Sequence, residues 1–289
     1  MEYFLLTLIT GFCSGCTFGL VGLAFTAIFN ASKIINFGNG DLAVVGAFAG
    51  ALFVFSGKVH PIAGVVGILV MSVAAGIFLY LLTEPTVRKK APVINSILIT
   101  LGGGLIASGS IGIHTKFLYF RTGFIFGFEP FVLGPVRISP QYISIMVTTA
   151  VLAFSYWFLL NKTYLGMGLR ALGINSDMAN LVGINDRLGR ALTWGISSGI
   201  SGIAGFLLAP LTLPSALMGM PLVINGFIAA VIGGFGYPLA AVTGGIALGL
   251  FVQFFTAYIS PGFAQLIMFL VLMVVLIFRP TGIWGLKLQ

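Results

Sequence analysis

The stretch KTYLGMGLRALGINSDMANLVGINDRLGR, residues 162–190, decides how this chain reads. It holds six of the twenty charged residues, Lys162, Arg170, Asp177, Asp186, Arg187 and Arg190, and the 88 residues that follow, Ala191 to Phe278, hold none. So long an uncharged run belongs in a bilayer, and a polar island between such runs is a segment held in water between membrane spans. It is a handle by which a partner in water can move the membrane part.

Composition agrees. Of the 289 residues 58% are hydrophobic and 7% charged, and the mean hydropathy is +1.13, too little charge to clothe a soluble domain of this size. Uncharged runs between Glu2 and Lys33, Lys58 and Glu84, Lys90 and Lys116, and Arg137 and Lys162 each exceed the roughly 20 residues needed to cross as a helix. The spans read approximately Phe4 to Phe29, Leu42 to Phe55, Ile62 to Thr83, Val93 to Ile113, Tyr142 to Leu160, Ala191 to Leu213, Leu222 to Gly233, Leu239 to Tyr258 and Phe263 to Phe278. The fold class is therefore all-α, a polytopic membrane bundle of eight or nine segments forming a single domain over residues 1–289. Leu42 to Phe55 and Leu222 to Gly233 are short, and broken or re-entrant segments of that kind need protein or a water-filled cavity around them. The 40 glycines are spread through the spans, as close helix packing in lipid requires. The segment Gly40 to Phe48 is similar in its spacing of small and branched residues to Gly226 to Phe235, which raises an internal duplication.

The net charge of +8 is spent on orientation rather than on nucleic acid. With Arg88-Lys89-Lys90, the island and the tail bearing Arg279 and Lys287 inside, ten basic residues are cytoplasmic, Lys33 among them, and four are outside, Lys58, Lys116, Arg121 and Arg137. The amino terminus is then outside and the carboxyl terminus cytoplasmic. Met1-Glu2-Tyr3 lacks the basic start of a cleaved signal peptide, so the first span is expected to be retained.

Several chemistries lose support. Cys13 and Cys16 have no second ligand pair, and His60 and His114 no carboxylate cluster, so no metal site is expected. No G-x-x-x-x-G-K-[ST] occurs, since Gly57-Lys58 is followed by Val59, and ATP would have to be hydrolysed by another polypeptide. Gly199-Ile200-Ser201-Gly202 looks like the G-x-S-G of intramembrane rhomboid proteases, but both histidines precede Ser201, and small residues at a helix contact explain it. The chain is not expected to be an enzyme or to bind a cofactor.

Four segments carry a resemblance. Ile35-Asn36-Phe37-Gly38-Asn39-Gly40-Asp41 is similar to an I-N-F-A-H-G-E segment, and the island carries Gly166, Arg170-Ala171, Ala179, Gly183-Ile184-Asn185 and Arg187. Ala229 to Gly236 reads AAVIGGFG, and Arg279-Pro280-Thr281-Gly282-Ile283 closes the series. Together, over nearly the whole chain, these resemble the LivH-type permease subunits of branched-chain amino-acid ABC importers. The resemblance implies a bacterial inner-membrane permease that works with a second related permease subunit, two cytoplasmic ABC ATPases holding ATP and magnesium, and an extracytoplasmic solute-binding protein that selects the cargo. It implies that residues 162–190 form a coupling loop docking on an ATPase, with Gly166, Arg170, Ala171, Asp177, Ala179, Gly183, Ile184, Asn185 and Arg187 as its residues. Asn39 and Asp41 replace a usual His and Glu, which bears on the cargo, and Met167-Gly168 replace Arg-Ala in the coupling region.

Physically, the island should form one or two short helices against the membrane. Ala171, Ala179, Leu181 and Val182 would form a small apolar surface, and Gly183 would either end a helix or permit close approach. The plain alternative is a solvated loop. Asn36, Asn39, Asp41, Asn95 and Asn225 are the candidate pathway residues, although polar side chains also bond helices together. Asp41, the sole acid between Glu2 and Glu84, fits a helix cap before Leu42, an ion pair with Lys33, or a support for Asn36 and Asn39. The alternative function is a secondary transporter driven by an ion gradient, for which Asp41 alone would serve as the embedded carboxylate.

Overall fold

The computed structural model describes residues 2–55, 60–89, 91–120, 122, 131–133, 136–279 and 281–284. Lys58, Lys90, Arg121, Lys287 and Pro280, and with them the Gly57-Lys58 pair, lie outside the described residues. The helices are α1 Glu2–Ser32, α2 Asn39–Phe53, α3 Pro61–Arg88, α4 Val93–Thr115, α5 Pro140–Lys162, α6 Tyr164–Ile174, α7 Ser176–Leu181, α8 Asp186–Leu208, α9 Gly219–Gly233, α10 Pro238–Tyr258 and α11 Ala264–Phe278. Between α4 and α5 lies an antiparallel hairpin of β1 Phe131–Leu133 and β2 Val136–Ile138, with Phe131 opposite Ile138. Among the described residues eight helical segments are long and apolar enough to cross a membrane, and α2 is a shorter apolar helix beside them. The fold is a polytopic helical membrane bundle.

Backbone proximity organises this bundle. Gly11, Gly15 and Gly19 form a ridge on α1 that meets Val242, Gly245, Ile246 and Gly249 of α10. A methyl group on Gly15 would stand 2.6 Å from the Ile246 Cα and 2.8 Å from the Gly245 carbonyl oxygen, so no side chain fits. Gly244, one residue round on α10, lies in the same way against Ala229 and Gly233 of α9. Lipid tails are as apolar as leucine, so the attraction here is dense van der Waals packing, which glycine maximises.

The same device buries α2. Its 15 residues span about 23 Å, less than a bilayer core of roughly 30 Å. Asn39 to Ala47, Ala49 and Gly50 are buried, and α2 packs on α3, α4, α8 and α9. Gly40 abuts the Gly219 carbonyl of α9, Gly46 the backbone of Gly202, and Gly205 the Ala43 carbonyl. A short segment is thereby enclosed by protein along all but its last turn, where Leu52 is exposed. The other segment expected to be short, Leu222 to Gly233, is not: α9 begins at Gly219 and the 3-10 turn Ala216–Met218 runs directly into it, so that residues 216–233 are long enough to span. The suspected duplication does not hold in that register. Gly40 lies at the start of α2, whereas Gly226 is mid-way along α9 and the matching stretch runs past its end at Gly233. In contrast α11 has Met268 as its buried residue and presents Phe269, Met273 and Ile277 outward.

Contacts sort the two ends of the bundle. At one, Tyr3 donates a 3.0 Å hydrogen bond to the Ala257 carbonyl and its ring meets Tyr258 edge-on. At the other, the Tyr80 hydroxyl donates to the Arg187 carbonyl at 3.1 Å, Gly173 lies against the Asn30 carbonyl, and the Ile283 amide donates to the Ile232 carbonyl at 2.8 Å. The island, the end of α3 with Arg88, and Arg279 thus share one end. Gly15→Ala should lower the unfolding free energy by about 1–3 kcal/mol through forced separation of α1 and α10. Gly102→Ala, on a lipid-facing position of α4 with open space around it, should be neutral or stabilising by up to about 1 kcal/mol. Thermal unfolding of the two purified variants in detergent checks both, and equal losses would refute the packing account.

Candidate functional site

The island folds as two short helices, α6 and α7, because each is started by a side-chain cap. Thr163 accepts from the Gly166 amide at 3.1 Å, Asn175 from Met178 at 3.1 Å, and Asn185 from Leu188 at 3.2 Å to start α8. Asn180 accepts from the Asp186 amide at 3.2 Å and closes the loop between α7 and α8. Gly183 sits in that loop at φ +86°, the left-handed region open to glycine, with no atom near where a side chain would be. Of the two roles expected for it, this geometry is the helix stop.

The island's candidate residues separate into two sets. Gly166 and Ala179 are buried within the chain, Gly166 against the Leu159 carbonyl of α5, so neither presents a surface. Ala171 and Ile184 are half-buried on the core. Arg170, Asp177, Gly183, Asn185 and Arg187 are exposed. The expected apolar surface keeps two of its members, Leu181 at 82% exposed and Val182 at 76%, and adds Ile174 at 88% and Met178, while Ala179 faces inward and Ala171 is half-buried.

An ion cluster ties this platform to the bundle. Arg190, on the first turns of α8, donates to Glu84 of α3 through Nη2 at 3.1 Å and Nε at 3.3 Å, and pairs with Asp186 through Nη1. The side chains of Arg190 and Glu84 are 8% and 13% exposed, so the pair is shielded and ties the start of α8 to the end of α3. Glu84 and Arg190 are 106 positions apart, and nothing in their local sequence marks them as partners. The caps, by contrast, were readable, since Thr163, Asn175 and Asn185 each stand immediately before a helix.

The pathway candidates also divide. Asn36 Nδ2 donates to Asn39 Oδ1 at 2.9 Å, and Asn36 Oδ1 accepts from the Gly38 amide at 2.9 Å. Ser197 Oγ of α8 lies 3.2 Å from Asn39 Oδ1 and 2.8 Å from the Ala24 carbonyl of α1, while the Phe37 amide donates to Thr100 Oγ1 of α4 at 3.2 Å. Asn36 and Asn39 are fully buried, and Asn39 Nδ2 has no partner among the described residues. Asp41, two residues on and so about 200° round the helix, faces the other way. Its carboxylate lies between Gly104 of α4 and Gly219 of α9. Asp41 therefore neither caps α2, whose N-cap is Gly38, nor pairs with Lys33, whose ammonium sits 5.1 Å over the Phe29 ring. It also does not support Asn36 and Asn39. Asn225 is buried in α9 with its carbonyl oxygen unpartnered, and Asn95 is exposed on the first turn of α4, away from the junction. Ser197 was missed, because an isolated hydroxyl in an apolar helix carries no local sign of its partner.

Ser201 is buried in α8, and its neighbour Gly202 lies against Gly46 and Ser72. Cys13 and Cys16 are free and buried in α1, and among the described residues no three His, Cys, Asp or Glu side chains gather as a metal site.

The layout of spans, island and polar junction fits a known group. Residues 7–276 match the family model described as branched-chain amino acid transport system / permease component. The chain belongs to that family. It is 26% identical over 278 aligned positions to the probable branched-chain amino acid transport permease protein LivH of Methanocaldococcus jannaschii, covering 92% of this chain and 88% of the relative. It is 26% identical over 299 positions to LivH of Escherichia coli K12 and 27% over 297 to BraD of Pseudomonas aeruginosa, each named a high-affinity branched-chain amino acid transport system permease protein and each matched over 98% of this chain and 96% of the relative. A comparison with solved structures finds no match.

For the permease, Arg190→Gln should cost more stability than Glu84→Gln. The first leaves Glu84 and Asp186 as like charges without their shared cation, a loss of about 3 kcal/mol or more, whereas the second leaves Arg190 bonded to Asp186. Thermal melts of both variants give the order, and a milder Arg190→Gln would show that the cluster is not a structural tie.

Proposed function

We propose that this permease forms, with a second related permease subunit, the path of an ATP-driven importer of branched-chain amino acids or chemically related small solutes across the bacterial inner membrane. Family membership and the functions for which its relatives are named support the cargo class. Two cytoplasmic ATPases hold ATP and magnesium, an extracytoplasmic binding protein delivers the solute, and the permease itself turns over no nucleotide. The island end of the bundle is cytoplasmic, in keeping with the basic residues gathered there. Gradient-driven transport is not favoured, because the family match supplies a partner-driven alternative and Asp41 is held in a helix junction.

One observation carries the coupling reading. A platform fixed by three caps exposes Ile174, Met178, Leu181 and Val182 beside Asp177, Asn185 and Arg187. Apolar groups so exposed on a polar, water-facing loop need a protein partner. ATPase closure would press on this surface, and the Arg190–Glu84 tie would pass the displacement to α3 and α8. The polar junction of Asn36, Asn39 and Ser197 joins α2 to α1 and α8, and together with Asn225 it supplies the polar groups nearest a path.

Leu181→Asp should leave membrane insertion and folding intact while lowering co-purification of the ATPase and solute uptake by about tenfold, the loss expected when one apolar anchor is removed from an interface core. Gly183→Leu, forced into a left-handed conformation, should uncouple ATP hydrolysis from uptake. Pull-down with mass spectrometry and uptake into reconstituted vesicles are the measurements. Wild-type uptake by both variants would remove the docking role, and a chain that repeatedly purifies without an ATPase would remove the importer reading.

A further inference from the structure

We infer that the groove between the island ends of α5 and α10 is a binding site for an anionic phospholipid, with its phosphate held at Arg170. The groove has a volume of about 590 Å³, in the range of roughly 300–1,000 Å³ usual for small-ligand sites. Its chemistry is divided along its length. Leu160 and Leu239 give an apolar wall, and Trp157, Tyr237 and Trp284 place three amphipathic rings along it. Arg170 is the charged group, exposed, and among the described residues no acid lines the groove. Arg170 Nη1 donates to Asn161 Oδ1 at 3.5 Å, the limit of a hydrogen bond, so the guanidinium is positioned but not neutralised.

Two further features favour a lipid over a soluble anion. The wall runs onto the lipid-facing side of the bundle: the ring of Phe154, which is 62% exposed, lies 5.7 Å from that of Trp157. A phosphate at the mouth would thus leave acyl chains lying on Trp157 and Leu239, where a small ion would leave that wall empty. The mouth also receives the start of α10, whose first residue is Pro238 and which no side chain caps, adding the positive end of a 21-residue helix to the Arg170 charge. Tryptophan and tyrosine with arginine at the edge of an apolar wall is the composition suited to the headgroup level of a bilayer. Arg170, which the island motif marked for contact with an ATPase, is instead directed to lipid. The inference rests on the membrane placement of the spans and not on the transport reading, so either can fail without the other.

Native mass spectrometry of the purified permease in detergent, with phosphatidylglycerol and phosphatidylcholine of matched acyl chains as probes, tests it. The wild type should retain phosphatidylglycerol about tenfold more strongly than phosphatidylcholine, and Arg170→Gln should abolish that preference while Arg170→Lys keeps part of it. Lys89→Gln, a loss of charge on an exposed residue outside the groove, should change nothing. If Arg170→Gln does not purify folded, Leu239→Trp narrows the groove with the charge intact and should weaken retention of phosphatidylglycerol. Equal retention of the two lipids by the wild type overturns the proposal, as does a preference unaltered in both groove variants. Displacement of the lipid by millimolar inorganic phosphate would assign the groove to a soluble anion and overturn it too.

Discussion

The approach of α1 to α10 at backbone distance is the constraint on which the remaining architecture depends. Three glycines at four-residue spacing on α1 meet Gly245 and Gly249 of α10, and the dense contact between them replaces the hydrophobic drive that lipid does not supply. Once those two helices are joined, Gly244 draws α9 onto the other side of α10, and Gly22 of α1 lies against the Gly226 carbonyl of α9. A three-helix block results, with room beside it for a segment too short to span. That segment is α2, and its own glycines let α8 and α9 close over it. Placing a short helix in the middle of a bundle is tolerable because its first turns, from Asn39 to Ala47, are buried in protein rather than in lipid.

Burying α2 makes its polar residues consequential. Asn39 and Asp41 are two positions apart and face different helices: Asn39 meets Ser197 of α8, whose hydroxyl also lies 2.8 Å from the Ala24 carbonyl of α1, and Asp41 lies against Gly104 of α4 and Gly219 of α9. Because α8 starts at the island and carries Arg190, one helix touches the platform, Glu84 of α3 and the buried junction.

At the island the same sequence serves two environments. Gly166 and Gly173 face inward and let α6 lie tight under α5 and α1, whereas Ile174, Leu181 and Val182 face outward. Motif residues in one short stretch thus do different work. Gly166 and Ala179 shape the platform, and Asn185 caps α8 while its neighbours Gly183 and Arg187 remain exposed.

Hydropathy, charge and turn chemistry are local properties of a chain measured against a bilayer, and from them the sequence by itself determined the membrane class, the approximate spans, the short segment that became α2 and the polar island. The AAVIGGFG stretch and the island residues also pointed to the right family, because close-packed glycines and a fixed loop leave few acceptable substitutes. The tertiary structure alone decided that α2 is central, that Asp41 turns away from Asn39, that Asn95 stands apart, and that Arg190 finds Glu84 across 106 positions and Ser197 finds Asn39 across 158. Those facts depend on which backbones approach and at what rotation. A one-dimensional pattern of apolar and polar residues fixes the period of a helix but not the neighbour each face will meet.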